Sequence, residues 1–407
     1  SPLDVNTLQN TSFVALVPQQ VDDGFYQRDP QLQGFSGFKL TLTDDDAKQL
    51  ARAQLIAVAL DSDGNLLDAT RVQSARLLDY LYTRANDDAD EAVLGVQYLG
   101  EQIRVSVWAP TATSLSIALY NKQKNPIASH PMQRDNDTGI WTFTGPKAEL
   151  DRQFYRFQLD VYHPLTEQFE NLNTTDPYSL SLSTNGRFSQ LVNLDDADLK
   201  PAGWDNHPVP TVAAPEDSII YETHIRDFSI WDETVSSANR GKYLAFTEVG
   251  SQSVQHLRAL QQAGLTHIHL LPANDIASVE EDISKRVELT DTVAHLCQFN
   301  AAAPVCGVEN PSATIQQVLE SYTPGTADAQ ALVESMRSLD GFNWGYDPHH
   351  FAAPEGSYAT DPDGEARIVE MRAMNQALHE MGLRTVLDVV YNHTASSGLY
   401  DNSVLDK

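Results

Sequence analysis

The sequence predicts a multi-domain fold, with β-sandwich modules preceding a region of parallel strands joined by helices. Three observations predict it. The chain has 407 residues, too many for one ordinary domain. From Leu94 to about Asn193, apolar residues alternate with polar ones in short runs, the period of strands with one buried face. Beyond Ser218 the pattern becomes amphipathic helix, glycine, then apolar strand, and that unit recurs. The divisions that follow are an N-terminal β domain over 1–88, a sandwich module over 89–205 and the parallel region over 206–407, with an insertion at 274–341.

In the first segment, Phe13–Val17 and Leu55–Leu60 read as strands, and Asp63-Gly64-Asn65 as a hairpin turn. The acidic run Asn86–Glu91 reads as a solvated linker. It lacks the Gly and Glu spacing of a calcium loop. In the second segment, Gln102–Trp108 alternates, as do Leu115, Ile117 and Leu119, and Tyr155, Phe157, Leu159 and Val161. Turn signals such as Asn136-Asp137-Thr138-Gly139 separate these runs, which suits two packed antiparallel sheets. Trp108 and Trp141 fit core positions better than an exposed binding face.

A stretch holding Pro201, Pro208, Pro210 and Pro215 reads as a linker. Ser218–Glu222 then reads as a strand. Val254, Leu257 and Leu260 mark a helix that Gly264 stops, and His267–Leu271 a strand ended by Pro272. Ile368, Met371, Met374, Leu378 and Met381 mark a second helix, stopped by Gly382, before a fully buried strand over Arg384–Val390. A (β/α)8 barrel and a doubly wound sheet both fit this grammar. The excursion between the two units is far longer than an ordinary loop; in barrels such insertions sit on the catalytic face.

The formal charge is −29, from 27 basic and 56 acidic side chains. Such a surface repels phosphate backbones and anionic membranes, so no nucleic acid is expected as partner; a neutral sugar polymer is unaffected. No run approaches the ~18 apolar residues of a membrane span. The opening Ser1-Pro2-Leu3-Asp4 carries no leader pattern. Cys297 and Cys306 lie in a loop-like stretch and are expected to form a disulfide, which implies an oxidising compartment; two buried free thiols are the alternative. His267 and His269 could offer two metal ligands on one strand face, with no third in view.

Two segments carry chemistry. In Phe342-Asn343-Trp344-Gly345-Tyr346-Asp347-Pro348, aromatic rings stand beside Asn and Asp. Flat rings cover the C–H side of a pyranose, and amide or carboxylate takes its hydroxyls. In Asp388-Val389-Val390-Tyr391-Asn392-His393-Thr394, a buried strand suddenly presents Asp, Asn and His near its end. In a barrel that end is the active-site face.

These segments resemble known signatures. FNWGYDP is similar to the YNWGYDP of type I pullulanases, with Phe342 for Tyr, and DVVYNHT to the first conserved region of the α-amylase superfamily. Tyr221–Ser229 resembles that family's first barrel strand. Pro354–Pro362 matches pullulanases, and Val107–Ala112, DNDTGIW and FYRF resemble the module preceding the barrel in pullulanases, isoamylases and branching enzymes. His349 stands where relatives often have Phe, and Phe351 where they have Tyr.

The resemblance implies immunoglobulin-like β-sandwich modules followed by the first part of a (β/α)8 barrel. It implies endo-acting cleavage of α-1,6-glucosidic bonds in pullulan, limit dextrin and starch, with retention and with no required cofactor. Tyr346 matches the ring that stacks under the sugar, and His393 the histidine that bonds its hydroxyls; Asp347, Asp388 and Asn392 match supporting residues. Retaining hydrolysis needs two carboxyl groups about 5–5.5 Å apart. In this family they lie on later strands, so the nucleophile and acid/base are expected beyond Lys407, as is the remainder of the barrel; Asp361, Asp363 and Glu222 have structural readings at a helix start and in a strand. A structural calcium ion is compatible with the resemblance. The expected partner is an α-glucan, and the expected location extracellular or cell-surface. The rival readings are an isoamylase or branching enzyme, which shares the sandwich and DVVYNHT, and a non-catalytic glucan-binding protein.

Overall fold

The architecture comes from a computed structural model describing residues 14–86 and 88–405. Ile56–Leu60 and Leu66–Arg71 pair antiparallel. Their turn forms because Gly64 takes φ +84° and the Asp61 carboxylate accepts the backbone N–H groups of Asp63 and Asn65. The strand expected at 13–17 is reduced to Val17–Pro18, paired with Phe38–Lys39; Phe13 lies outside the described residues. Val14, Leu16 and Val17 are each at least 42% exposed, so no core draws that run into a sheet. This segment also holds helices at Asp23–Arg28, Asp44–Leu50 and Ala75–Tyr82, against the β reading. The acidic run is not simply solvated. Within it Ala89 is buried against Leu81, Tyr82 and Ile140, because one methyl among acids suffices to dock the turn on the sandwich.

The sandwich follows the alternation. One sheet orders Gly95–Leu99, Gln102–Trp108, Ile140–Pro146 and Gln133–Arg134. The other orders Gln168–Thr174, Phe154–His163, Ser114–Tyr120 and Pro126–Pro131, with Ser189–Gln190 also on Phe154–His163. Ile103, Val105, Val107, Ile117, Tyr155 and Phe157 meet between the sheets. The Trp141 indole N–H donates to the Ala109 carbonyl at 3.0 Å and that of Trp108 to Thr138 at 3.0 Å, so both rings serve packing.

Past the proline linker, Ile220–Thr223, His267–Leu270 and Arg384–Leu387 form a parallel sheet in that order. The crossovers are the helices Gln252–Gln262 and Ala366–Glu380. Both end alike. Gly264 and Gly382 take φ +112° and +91°, and the next N–H closes the turn, Leu265 onto Leu260 and Leu383 onto Leu378. His267–Leu270 is buried between its neighbours, whereas Arg384–Leu387 pairs on one edge only among the described residues. Leu387 and Val389 are 43% and 48% exposed, so the strand is shorter and less buried than its sequence suggests. Asp361 and Asp363 do not cap the second helix, whose N-cap is Glu365; Asp363 instead meets Lys124 and the Thr184 N–H of the sandwich. Glu222 lies in the strand Ile220–Thr223 as read, with its side chain exposed beside His269.

The insertion has its own core. Val293–Phe299, Ile315–Ser321 and Asp328–Met336 pack through Leu296, Ile315, Val318 and Leu332. Cys297 and Cys306 are disulfide-bonded beside it, Cα atoms 5.8 Å apart. Among the described residues no helix is long and apolar enough to cross a membrane.

Candidate functional site at the ends of the parallel strands

Leu270 ends the middle strand, and the Asp388 N–H continues the ladder onto its carbonyl at 2.9 Å. That places Asp388 at the carboxyl end of the sheet. The Tyr346 hydroxyl donates to its carboxylate at 2.6 Å. This bond, then burial and the charges of Asp388 and Glu222, push the phenol up to about 12, so it remains a donor at neutral pH. Tyr346 remains 39% exposed.

His393 Nε2 lies 2.8 Å from the Tyr346 carbonyl, and Nδ1 3.0 Å from the Asn392 side chain. Nε2–H donates to that carbonyl, and Nδ1 meets Asn392 Oδ1. Asp347 turns the other way. Ser278 Oγ donates to its carboxylate at 2.6 Å and Asn343 Nδ2 at 3.3 Å, which folds the FNWGYDP loop onto the start of the insertion. Gly345 takes φ +97°, and a Cβ there would meet the Pro272 carbonyl at 2.8 Å, so no larger residue fits. His224 anchors the loop from the first strand. Its Nδ1 accepts from the Arg226 N–H, so Nε2–H donates to the Asn343 carbonyl at 2.9 Å. Burial pushes this imidazole down, keeping it neutral. Tyr346, Asp388, Asn392 and His393 thus come together, while Asp347 braces from behind. His267 Nδ1 meets the Thr266 hydroxyl and His269 Nδ1 lies 3.6 Å from Glu222; among the described residues neither joins a metal-type cluster.

Behind this loop lies a network the sequence reading missed. Arg367, fully buried, donates to Asp275 and Glu281 at 3.2 Å each and to the Pro354 carbonyl at 2.9 Å. Asp275 also takes His350 Nδ1 at 2.7 Å and faces His349 Nδ1 at 3.2 Å. Burial opposes ionisation of Asp275, but the two histidine contacts outweigh it and hold the carboxyl low. Burial pushes Glu281 and Glu355 up and takes His350 down to about 4. The signal was legible: Arg367 falls on the apolar face of its helix, four residues before Met371.

Two trios here, Asp275 with His349 and His350, and Asp275 with Glu281 and Glu355, bring donor atoms within 4.8 Å of one another. Their oxygens are already committed. Glu281 accepts Gly356 N–H, Glu355 accepts Ile276 and Ser357 N–H, and Asp275 is held by Arg367. A calcium ion needs six to eight free oxygen ligands, so this network does not fit one.

Residues 3–80 match the Pullulanase N2 domain, 93–179 carbohydrate-binding module 48 (isoamylase N-terminal domain), and 276–342 the Pullulanase Ins domain. The chain carries pullulanase N-terminal domains. It is 40% identical to a pullulanase of Klebsiella pneumoniae, over 97% of this chain and 37% of that protein. It is 38% identical to the chloroplastic pullulanase 1 of Arabidopsis thaliana, over 93% and 36%. Among solved structures, the maltotriose complex of PulA from Klebsiella pneumoniae superposes with a TM-score of 0.88 at 40% identity, over 97% of this chain and 43% of that one. The chain therefore spans well under half the length of these pullulanases. The relatives support a starch-debranching glycoside hydrolase family, with the disulfide-bearing helices inside the Pullulanase Ins match.

Proposed function

We propose that the protein containing this chain is an endo-acting debranching hydrolase that cleaves α-1,6-glucosidic bonds in pullulan, limit dextrin and starch. The observation that carries this reading is the Tyr346–Asp388–His393 group at the strand ends, built from FNWGYDP and DVVYNHT. The Tyr346 ring stacks under the sugar at the scissile bond. His393 takes that sugar's hydroxyls when Nε2 exchanges the Tyr346 carbonyl for them. Asp388 fixes the tyrosine, Asn392 orients the histidine, and Asp347 holds the loop. The three parallel strands are the opening part of a (β/α)8 barrel, and the sandwich is its immunoglobulin-like neighbour.

Retention follows from the family chemistry, with one carboxylate forming a glycosyl-enzyme and another serving as acid then base. Neither role is given to a carboxylate described here; both belong to the length of the relatives that this chain does not span. The disulfide supports an extracellular or cell-surface location. The Pullulanase Ins match favours this reading over an isoamylase or branching enzyme, which share only the module and DVVYNHT. The test is pullulan hydrolysis by the complete protein, following the anomeric proton of the new reducing end by NMR. The reading expects maltotriose, first seen in the α configuration. Absence of hydrolysis defeats it, and a β product defeats retention.

A further inference from the structure

Far along the chain from the strand-end site, a cleft of about 250 Å³ lies where the N-terminal segment meets the sandwich. Arg52, Arg71 and Ser74 line it from the first, Thr111 and His163 from the second. We propose that this cleft binds a small oxyanion, a phosphate or a carboxylate, which bridges the two domains.

Charge is the first observation. Acidic side chains outnumber basic ones by 56 to 27, yet Arg52 has neither an ion pair nor a hydrogen bond among the described residues. Its Nε is enclosed, so the two terminal amino groups carry the surface that the guanidinium keeps. The neighbouring arginines differ: Arg71 pairs with Glu167, and Arg76 with Asp29. Burial, then the charge of Arg134, push the Arg52 guanidinium down from its ordinary value. Arg134 itself bonds Asn136, the Tyr82 hydroxyl and the Pro110 carbonyl, with no carboxylate among them. A half-enclosed cation with a second cation behind it is costly, and an arriving anion relieves that cost.

His163 supplies the second, independent observation. It is only 4% exposed and lines the cleft. Nδ1 accepts the Leu165 N–H at 3.2 Å, so Nε2 carries the proton of the ring. That N–H meets no acceptor among the described residues, yet it is not shut off from solvent as Arg52 Nε is. It opens where the ring does, on the cleft. Ser74 starts the helix Ala75–Tyr82 without its hydroxyl capping it, and no acidic residue stands in the first turn, so this helix end also lacks an anion. The guanidinium and the imidazole N–H are donors only, which suits the lone pairs of an oxyanion better than the mixed donors and acceptors of a sugar. The volume lies below the ~300 Å³ at which clefts for larger ligands begin, so the ligand is small.

The test is thermal unfolding of the complete protein in sodium phosphate, sodium succinate and sodium chloride at one ionic strength. It compares the parent with Arg52→Gln and Arg52→Lys, and both oxyanions are also titrated calorimetrically. Phosphate stabilises proteins in general through its exclusion from their surface, so the readout is the difference between parent and variant. The parent should melt higher in an oxyanion than in chloride, by more than Arg52→Gln does, and Arg52→Gln should bind that anion about tenfold or more weakly. Arg52→Lys keeps the charge without the planar fork and should fall between them. Should Arg52→Gln not fold, Arg52→Lys carries the same comparison. A gain in phosphate alone identifies a phosphate site, a gain in succinate alone a carboxylate site, and a gain in both a site that takes either. Equal gains in the parent and the variants, no gain in either oxyanion, or a crystal of the complete protein showing one of its own carboxylates on Arg52 overturns the proposal.

Discussion

Replacing Tyr346 by phenylalanine removes one oxygen and leaves the ring in place. The bond lost is 2.6 Å long and ends on the Asp388 carboxylate. Hydrogen bonds to charged groups contribute about 1.5–3 kcal/mol when enclosed. Tyr346 is 39% exposed, so water competes and the expected value falls to about 1–1.5 kcal/mol. That corresponds to a roughly 5- to 12-fold loss in kcat/KM. Tyr346→Ala should cost more, because the stacking face goes as well. Asp388→Ala combined with Tyr346→Phe should be little worse than Asp388→Ala alone, since both changes remove the same bond. The assay is initial release of reducing ends from pullulan, in the complete protein, over a range of concentrations. Because the phenol is held near 12, the ratio of parent to Tyr346→Phe should stay constant from pH 5 to about pH 9. Fully additive effects of the two substitutions would show that Asp388 does not position this ring. An unchanged rate in Tyr346→Phe would remove the tyrosine hydroxyl from the account altogether.

Three further outcomes are expected. His393→Ala should lower kcat on saturating pullulan more than it raises KM, if the imidazole bonds the sugar more strongly as charge develops; a pure KM effect makes it a uniform binder. Cys297→Ser should destabilise the insertion by about 2.5–3 kcal/mol on the loop-entropy account, seen as faster limited proteolysis within 274–341; unchanged protection would mean that the helical core there needs no bridge. Burial raises Asp176 from 3.8 to about 6, so the fold favours its protonated form. The stability this contributes is whole below about pH 4 and lost as pH rises through 6, by up to about 3 kcal/mol, and Asp176→Asn should flatten that slope in thermal melts.

The sandwich was legible because its strands bury one face each, and alternation at Leu115, Ile117 and Leu119 reports that directly. The paired Gly-Leu junctions were legible for a backbone reason, since only glycine takes φ near +100° cheaply. Tyr346, Asp388 and His393 were found through motif resemblance, and geometry then showed how they touch. Other features depend on distant partners. The exposed Leu387 and Val389 read as core, because apolar sequence states what a strand prefers and not what covers it. The Asp275–Arg367 network joins residues 92 positions apart, a pairing no local pattern encodes. The N-terminal helices were missed because short amphipathic runs such as Asp44–Leu50 depend on caps, here the Thr43 hydroxyl taking the Asp46 N–H.

Arg367 has a mechanical meaning as well. Its guanidinium reaches the Ser183 carbonyl, in the sandwich loop before Ser189–Gln190, at 3.4 Å while holding Asp275, Glu281 and Pro354. Gly186, in the same loop, sits against His349. A module with this anchorage is no tethered accessory swinging on a hinge. Moving it would uncover buried charge, so a push on the sandwich is transmitted as a rigid displacement to the strand that carries His349 and follows Tyr346. Grafting such a module onto another enzyme would need the receiving half of the joint to travel with it, including a matching arginine on the helix behind the loop.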